Sequence, residues 1–423
     1  MQRKPLVLVL GGGYAGVRVA LDLARQKSAK VILIDKNPYH ALPTQYYELA
    51  TFFRNEPRVE TIQQLKGGFH NALYSAVISL KELFAKYPDV EVMQATVSLV
   101  RPKDSCIVLA DGRRLYYEWL VFALGSQTNY FNIPHLEQNA LGLKTPEEAL
   151  NVRDQLDELF YKSPKQKKIT VVIGGGGFTG SELAGEVVGY MRKLAREHQH
   201  PAGHWSCVVV EAGSSVLGTS SAWAQRKAKA RLSRLGVTFL FDHAIVDVWP
   251  NLLYIGQERR PLPFDLLVWT AGVKGSCLGD LIEGIAPSKK NCVPVNNTLR
   301  IEGLENIFVA GDVAATVDSK TKTPMPMTAQ KALQEAKYIS RSLKNLIQNP
   351  KAKLKSFEPK SSSFIIPLGG KYALLETPYV KLSGSLIWVL KYIVVFKYLI
   401  TIMSPWKSFG FLMSEIRLYT KND

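Results

Sequence analysis

The chain has 423 residues, enough for two or three domains with cores of their own. Its apolar fraction of 46% and charged fraction of 21% are those of a globular protein and exclude a disordered or fibrous one. Lysine and arginine outnumber aspartate and glutamate by 53 to 36, and the formal net charge of +17 favours an anionic membrane surface or another polyanion as a partner. The sequence carries no zinc-finger spacing, RNA-binding signature or repeated basic helix, so nucleic acid is not predicted.

The first motif lies in residues 5–26, which read as a buried strand, a glycine turn and a helix. Gly11, Gly13 and Gly16 form the pattern G-x-G-x-x-G. In this pattern the first glycine permits a tight turn, the second lets the backbone approach a pyrophosphate, and the third lets the helix pack on the strand. The free N–H groups of the helix N-terminus then face the phosphates, and Asp35, at the end of the next strand, is placed to accept from ribose hydroxyls. These features predict a dinucleotide site rather than a purely structural glycine turn.

The same motif recurs in residues 168–187. Gly175, Gly177 and Gly180 again follow an apolar strand and precede a helix, and Glu211 ends the following strand. A carboxylate at that position favours the free 2′-hydroxyl of NADH, because it would repel the 2′-phosphate of NADPH. The chain is therefore predicted to hold two dinucleotides.

Two later segments suggest which dinucleotide occupies which site. Residues 120–126 form a strand that ends in a small-residue turn containing Gly125, and residues 306–315 form a strand followed by Gly311 and Asp312. This order of motifs resembles the two-dinucleotide-binding-domain flavoprotein superfamily. The resemblance implies that FAD occupies the first site and NAD(P)H the second. It also implies that Gly125 contacts the cofactor and that Gly311 and Asp312 meet the ribityl and phosphate portion of the flavin.

The resemblance implies an α/β fold with two Rossmann-like dinucleotide-binding domains, the NAD domain being inserted in the FAD domain. The expected FAD domain is discontinuous and covers residues 1–125 and 275–350. The NAD domain is expected over residues 126–274. Residues 351–423 are expected to form a hairpin, with its turn at two glycines, and membrane-anchoring helices.

The four cysteines, Cys106, Cys207, Cys277 and Cys292, lie far apart and form no CxxC pair. They are interpreted as reduced thiols of a protein that faces the cytosol, with neither a disulfide framework nor a metal site. The superfamily's disulfide reductases carry a cysteine pair just after the first βαβ unit, and its sulfide–quinone reductases carry cysteines on both sides of the flavin. Neither arrangement matches this sequence, so the reduced flavin is expected to pass electrons to an acceptor without a protein thiol.

Residues 328–339, "TAQKALQEAKYI", follow the Gly-Asp turn and are predicted to begin a helix close to the flavin. The small side chain of Ala329 and its neighbouring alanines would let a flat ring approach, and Gln330 and Gln334 would donate hydrogen bonds to a carbonyl oxygen. The segment resembles the AQxAxQE quinone-site motif of type II NADH dehydrogenases. That resemblance implies that Gln330 and Gln334 serve a quinone. An alanine-rich packing helix with solvated glutamines is the competing interpretation.

The segment "GFTGSELAGE" is similar to the same family, and the resemblance places Glu182 on its recurrent glutamate, near the meeting point of nicotinamide and flavin.

The apolar tail, residues 386–403, is interrupted by Lys391 and Lys397. This pattern favours a helix that lies in the membrane interface with both lysines toward the headgroups. A spanning helix, a core helix and a helix of a homodimer interface remain alternatives.

The combined prediction is an FAD-dependent NADH:quinone oxidoreductase that pumps no protons and is bound as a monotopic protein to the cytoplasmic face of a membrane. Its expected partners are a membrane quinone, an anionic membrane surface and a second copy of the chain. Two alternatives stay open. One is a flavin reductase with a protein acceptor such as a ferredoxin, and the other is a membrane sensor that binds both nucleotides without turnover.

Overall fold

The structure is a computed structural model that describes residues 3–52, 75–276, 281–288, 290–318, 321–360 and 363–419. The strands, in chain order, are β1 (Leu6–Leu10), β2 (Lys30–Asp35), β3 (Tyr39–Ala41), β4 (Val77–Ser79), β5 (Val90–Gln94), β6 (Val97–Arg101), β7 (Cys106–Leu109), β8 (Arg114–Tyr116), β9 (Trp119–Phe122), β10 (Ser126–Thr128), β11 (Ile169–Gly174), β12 (Trp205–Val210), β13 (Val237–Leu240), β14 (Ile245–Trp249), β15 (Leu252–Ile255), β16 (Arg260–Pro263), β17 (Leu266–Trp269), β18 (Val273–Gly275), β19 (Val293–Pro294), β20 (Arg300–Ile301), β21 (Leu304–Val309), β22 (Ala314–Ala315), β23 (Phe364–Pro367), β24 (Ala373–Glu376) and β25 (Lys381–Gly384). The helices are α1 (Tyr14–Gln26), α2 (Tyr46–Leu49), α3 (Leu80–Phe84), α4 (Leu136–Asn139), α5 (Pro146–Lys162), α6 (Phe178–Glu197), α7 (Ala222–Leu235), α8 (Ala329–Gln348), α9 (Ser385–Ile402) and α10 (Pro405–Tyr419).

The chain divides into two compact units. Unit 1 contains residues 1–41, 77–127 and 273–361, and unit 2 contains residues 42–76, 128–272 and 362–423. The predicted domain boundaries stay a prediction, because a compact unit is defined by contacts and not by a cofactor. The units differ from those boundaries in three main places. Residues 351–361, expected in the C-terminal part, belong to unit 1. The segment after β3 and the C-terminal segment both belong to unit 2, where the Lys391–Glu48 ion pair and the packing of β23 on α6 join them to its body.

Unit 1 is built on a six-stranded sheet in the order β20-β21-β9-β1-β2-β5. The central strand β1 is a continuous apolar run, because it pairs in parallel with β2 and β9 and is covered on both faces. Helices α1 and α8 pack against each other in this unit. Five strands of the sheet are parallel, as the first glycine motif predicts, and the short edge strand β20 pairs antiparallel with β21.

Unit 2 repeats this plan with a four-stranded parallel sheet in the order β13-β12-β11-β17. The antiparallel sheet β14-β15-β16 packs beside it, and its inward side chains share one core with Val172 and Trp269. The two predicted Rossmann-like sheets are thus present, one in each unit.

The predicted hairpin of the C-terminal segment is confirmed, since β23 and β24 pair in antiparallel register. A third strand, β25, extends it. The turn contains Gly369 with φ +72°, and a Cβ built on that glycine would lie 2.5 Å from the carbonyl oxygen of Gly185 in α6. Glycine is needed here for both the left-handed backbone and the close approach to the helix.

Helices α9 and α10 follow the hairpin. Within the described part of the chain, α9 is long and apolar enough to cross a membrane, judged by length and composition. Large apolar side chains project from α9 and α10, including Leu386, which is 84% exposed, and Trp406, which is 86% exposed. Lys397 is exposed as predicted, but the prediction is wrong for Lys391, which is buried inside unit 2 in an ion pair.

Candidate functional site

The first glycine turn joins β1 to α1 in unit 1. Gly11 has φ +105°, and a Cβ on it would lie 2.2 Å from the carbonyl oxygen of Ala123. A Cβ on Gly16 would lie 1.8 Å from the carbonyl oxygen of Gly11, so the turn and the helix start are in direct backbone contact. A Cβ on Gly13, in contrast, would meet no atom within 4 Å. The protein itself has no need for a glycine at this position, and the open space at the N-terminus of α1 fits a pyrophosphate.

The acid of the first site is tied to the turn. Asp35 accepts hydrogen bonds from the backbone N–H of Gly12 at 2.6 Å and from that of Asn37 at 2.7 Å. Burial raises the pKa of the Asp35 carboxyl, and these two hydrogen bonds oppose the rise. The carboxylate is therefore fixed at the edge of the turn, where the sequence predicts a ribose.

His40 lies beneath the same turn and was not identified from the sequence. Its Nδ1 is 2.8 Å from the carbonyl oxygen of Gly12, and burial lowers the pKa of His40 to about 4. The ring is therefore neutral at pH 7, and Nδ1 must carry the proton because a carbonyl oxygen only accepts. Its ring also contacts Tyr14 edge to face. A single histidine inside the short strand β3 belongs to no motif, so no sequence signal pointed to this contact.

The Gly-Asp turn of unit 1 follows β21. Gly311 has φ +77° and opens a short 3-10 turn that ends at Val313. The hydroxyl of Ser126 donates to a carboxylate oxygen of Asp312 at 2.5 Å, which brings the two segments predicted to contact the flavin together. Gly125, beside Ser126, has φ +73°, and a Cβ on it would meet no atom within 4 Å.

Helix α8 begins where the sequence predicts it. The side chain of Thr328 caps its N-terminus by accepting from the backbone N–H of Lys331 at 3.2 Å. Ala332 and Ala336 are buried by protein atoms, so the expected face for a flat ring is reduced to the partly buried Ala329. The alanine ridge is therefore mainly a packing surface.

The two glutamines of α8 differ in their surroundings. Gln330 is exposed in the first turn of the helix. The side-chain oxygen of Gln334 accepts from the backbone N–H of Lys360 at 2.7 Å, and its amide nitrogen lies 3.5 Å from the carbonyl oxygen of the same residue. A hydrogen bond from Gln334 to a substrate would have to compete with this contact.

The second glycine turn, in unit 2, repeats the geometry of the first. Gly175 has φ +107°, and a Cβ on it would lie 2.5 Å from Cα of Ala271. A Cβ on Gly180 would lie 1.9 Å from the carbonyl oxygen of Gly175, whereas a Cβ on Gly177 would meet no atom within 4 Å. Open space again lies at the N-terminus of a helix, here α6.

The acid of the second site is held in the same way as the first. Glu211 accepts from the backbone N–H of Gly176 at 2.6 Å and from that of Gly213 at 2.7 Å. The arrangement matches the one around Asp35, and the contact of Glu211 with a ribose stays a prediction. The turn fits a second dinucleotide.

A buried polar cluster lies beside Glu182 in unit 2. Lys391 of α9 donates to Glu48 Oε1 at 2.6 Å and to the hydroxyl of Tyr47 at 3.0 Å. Burial raises the pKa of the partly buried Glu182 to about 8; the positive charge of Lys391 opposes the rise, and the negative charges of Glu48 and Glu186 add to it. Glu182 is therefore mainly protonated at pH 7.

Glu415 of α10 belongs to the same cluster. Its side chain is fully buried, and burial raises its pKa to about 8, against the attraction of Lys391. Sequence reasoning missed Glu48, Glu415 and the burial of Lys391. Two signals were available: the run Tyr46–Tyr47–Glu48 and a lysine inside an apolar helix. The second is ambiguous, because such a lysine can be buried in an ion pair or can lie at the membrane interface.

The described cysteines are consistent with the predicted thiols. Cys106, Cys207 and Cys292 are free and buried, and burial raises the pKa of Cys207 to about 12. Cys277 lies outside the described residues. Across the described ranges, no group of three or more histidine, cysteine, aspartate or glutamate side chains is arranged to hold a metal ion.

Comparison with known proteins agrees with this geometry. The family described as "Pyridine nucleotide-disulphide oxidoreductase" matches residues 5–336. A curated relative named "Type II NADH:quinone oxidoreductase" from Haemophilus influenzae is 28% identical over 393 residues, which cover 87% of this chain and 86% of the relative. A relative of the same name from Staphylococcus haemolyticus is 28% identical over 363 residues, 83% of this chain and 85% of the relative.

Among solved structures, "NDH2 from Plasmodium falciparum in complex with NADH" superposes with a TM-score of 0.84 at 20% identity and covers 98% of both chains. At this identity the likeness shows the fold. The predicted resemblance to type II NADH dehydrogenases is confirmed by the names of the relatives. With two glycine turns of matching geometry and a family match over most of its length, the chain belongs to the pyridine nucleotide-disulphide oxidoreductase family.

Proposed function

We propose that this chain is a type II NADH:quinone oxidoreductase that contains FAD. The observation that carries the proposal is the presence of two dinucleotide turns in one chain, each with open space at its second glycine and a carboxylate tied to its backbone. Curated relatives at 28% identity over most of the chain have this activity in their names. The relatives do not favour the alternative with a protein acceptor.

FAD, when bound, would supply the redox chemistry that links the oxidation of NADH to the reduction of a quinone. The residues of this chain bind and orient the two dinucleotides. The proposed FAD contacts are Gly11, Gly13, Gly16, Asp35, Gly125, Gly311, Asp312 and Ala329. The proposed NADH contacts are Gly175, Gly177, Gly180 and Glu211.

For the quinone, we propose Gln330 as the hydrogen-bond donor at the start of α8, because its side chain is exposed. Gln334 is proposed as a second donor, and its amide would have to exchange its contact with the backbone of Lys360 for the quinone. Glu182, mainly protonated at pH 7, is proposed as the acid that supplies a proton during quinone reduction, because its raised pKa lies close to the working pH.

The same proposal includes a monotopic attachment to the cytoplasmic face of a membrane through α9 and α10. Exposed apolar side chains such as Leu386 and Trp406 support insertion, and the exposed Lys397 and the net charge of +17 support attraction to anionic headgroups. Two further partners stay predictions: a second copy of the chain and a quinone that enters the site from the membrane.

The proposal is tested with the purified yellow protein. NADH should bleach the flavin in a stopped-flow experiment, and turnover should follow with quinones but not with ferredoxin. In Gln330→Leu, bleaching by NADH should be unchanged while quinone turnover falls, since a hydrogen bond to a neutral group contributes about 0.5–1.5 kcal/mol, roughly three- to tenfold in rate. Turnover with ferricyanide, which needs only the flavin edge, serves as the control. Equal loss with both acceptors would contradict a quinone contact at Gln330.

A further inference from the structure

Helix α8 contains a buried ion pair that the proposed site does not use. The side chain of Lys331 is 2% exposed and that of Glu335 is 0% exposed, and Lys331 Nζ lies 3.5 Å from Glu335 Oε1. Burial of two charges costs free energy unless both are paired and fully hydrogen-bonded. The pair therefore needs an explanation beyond the helix itself.

The remaining hydrogen bonds of the pair go to the Gly-Asp turn. Lys331 Nζ donates to the carbonyl oxygen of Gly311 at 3.1 Å and to that of Ala314 at 2.9 Å. Glu335 accepts from the backbone N–H of Gly311 at 2.6 Å and from the hydroxyl of Thr316 at 2.6 Å. Both polar groups of Gly311 are thus held by side chains of opposite charge from one turn of α8.

These bonds fix the orientation of the two peptide planes on either side of Gly311. Gly311 has φ +77°, and this conformation is held by Glu335 at its N–H and by Lys331 at its carbonyl oxygen. In a trans peptide the carbonyl oxygen and the following N–H point in opposite directions. Because Lys331 binds the Gly311 carbonyl oxygen, the N–H of Asp312 is directed away from the Lys331 ammonium, on the side opposite the buried pair.

We infer that Lys331 and Glu335 are positioning residues that preset the peptide between Gly311 and Asp312 to bind the ribityl–phosphate portion of FAD. The inference rests on the proposed function, which places FAD at this turn. The carboxylate of Asp312 is oriented separately, by the hydroxyl of Ser126. The pair thus controls the backbone of the turn and Ser126 controls its side chain.

A purely structural pair would stabilise the helix without affecting the cofactor. The two roles are separated with Lys331→Met, Glu335→Met and the double variant Lys331→Met/Glu335→Met, which has no buried charge and no side-chain acceptor for the N–H of Gly311. Lys344→Met, at an exposed position of the same helix, is the matched control. Two quantities are measured on the holoproteins: the rate of FAD release after dilution, followed by FAD fluorescence, and the rise in Tm caused by excess FAD.

Both single variants should release FAD at least tenfold faster than the wild type, and their FAD-dependent rise in Tm should shrink. The double variant should recover its Tm without FAD, because no uncompensated charge remains, yet still release FAD about tenfold faster. If a single variant does not fold, the double variant decides. FAD release within twofold of wild type in the double variant would overturn the inference. Failure of the proposed function would appear in the wild type instead, as a protein that binds no FAD or does not reduce quinones.

Discussion

The two units contain the same glycine turn with a carboxylate bound to its backbone, but their buried charged groups differ. In unit 1 the glycine turn ties Asp35 to Gly12, and in unit 2 it ties Glu211 to Gly176, both at 2.6 Å. Each unit also buries a lysine in an ion pair. Lys331 faces one carboxylate and two carbonyl oxygens, so its pair is balanced.

Lys391 in unit 2 faces an excess of carboxyl groups. It binds Glu48 directly, and its charge also acts on Glu182 and Glu415, while Glu186 adds a further negative charge. One ammonium cannot neutralise all of these groups, so some of them keep their protons at pH 7. Unit 1 thus uses buried charge to hold a backbone in place, whereas unit 2 keeps protonated carboxyl groups in its interior.

We expect the largest change in cofactor binding from valine at the second glycine of each turn, with a different cofactor affected in each case. Gly13→Val should give a folded but colourless protein, because a Cβ at this position meets no protein atom within 4 Å and the valine would fill the space of the pyrophosphate. Gly177→Val should instead give a yellow protein whose flavin is no longer bleached by NADH. The measurements are flavin absorbance and stopped-flow reduction.

Gly189→Ala serves as the control for these substitutions, since this glycine also has open space but lies in the middle of α6. It should change neither flavin content nor reduction by NADH. Recovery of Gly13→Val with stoichiometric flavin would show that the first turn is not the FAD site.

The second prediction concerns the charge excess around Lys391. Lys391→Met should reduce the free energy of unfolding by about 3–5 kcal/mol, the usual effect of removing one partner of a buried ion pair. The loss should be greater at pH 9 than at pH 6, because the remaining carboxyl groups ionise without a cation nearby. Lys397→Met, at an exposed position of the same helix, should stay close to wild type. Urea unfolding at both pH values measures the difference, and equal effects of the two variants would mean that Lys391 is not buried in solution.

The third prediction concerns the protonation of Glu415 in the folded protein. The pKa of Glu415 is raised from 4.5 to about 8, so between these pH values the folded protein binds a proton that the unfolded chain has lost. Its contribution to stability is therefore complete below pH 4.5 and is lost as the pH rises to about 8. Glu415→Gln should flatten this pH dependence and be more stable than wild type at pH 8.5 by about 1–3 kcal/mol.

Glu197→Gln, at an exposed position of α6, should leave the pH dependence unchanged. The quantity to compare is Tm between pH 5 and pH 8.5 for the three proteins. A wild-type Tm that is constant over this range would show that Glu415 is ionised or solvated in the folded protein.

Sequence reasoning found the features of this molecule that depend on neighbouring residues. Gly11, Gly13 and Gly16 lie within six residues, and the parallel strands around them are continuous apolar runs, so both turns and both sheets were predictable. The ion pair of Lys391 with Glu48 joins residues more than 300 positions apart, and a single sequence contains no signal for that contact. The role of Lys331 was hidden for another reason, since a lysine one turn before a glutamate usually marks a solvated helix face.

We expect the smallest change in cofactor binding from substitutions of Asp35 and Glu211, the two acids of the dinucleotide turns. Asp35→Asn and Glu211→Gln each keep one oxygen that can accept from the N–H of Gly12 or Gly176, while the second backbone donor, the N–H of Asn37 or Gly213, loses its acceptor. In its contact with a ribose, each variant loses the charge of the acceptor, worth about 1 kcal/mol, or roughly fivefold. Asp35→Asn should therefore release FAD about fivefold faster with an unchanged KM for NADH, and Glu211→Gln should raise that KM about fivefold with unchanged FAD release. Glu211→Gln should also narrow the preference for NADH over NADPH, because a neutral amide no longer repels a 2′-phosphate. If Glu211→Gln altered FAD release as strongly as Asp35→Asn, the assignment of one dinucleotide to each turn would be wrong.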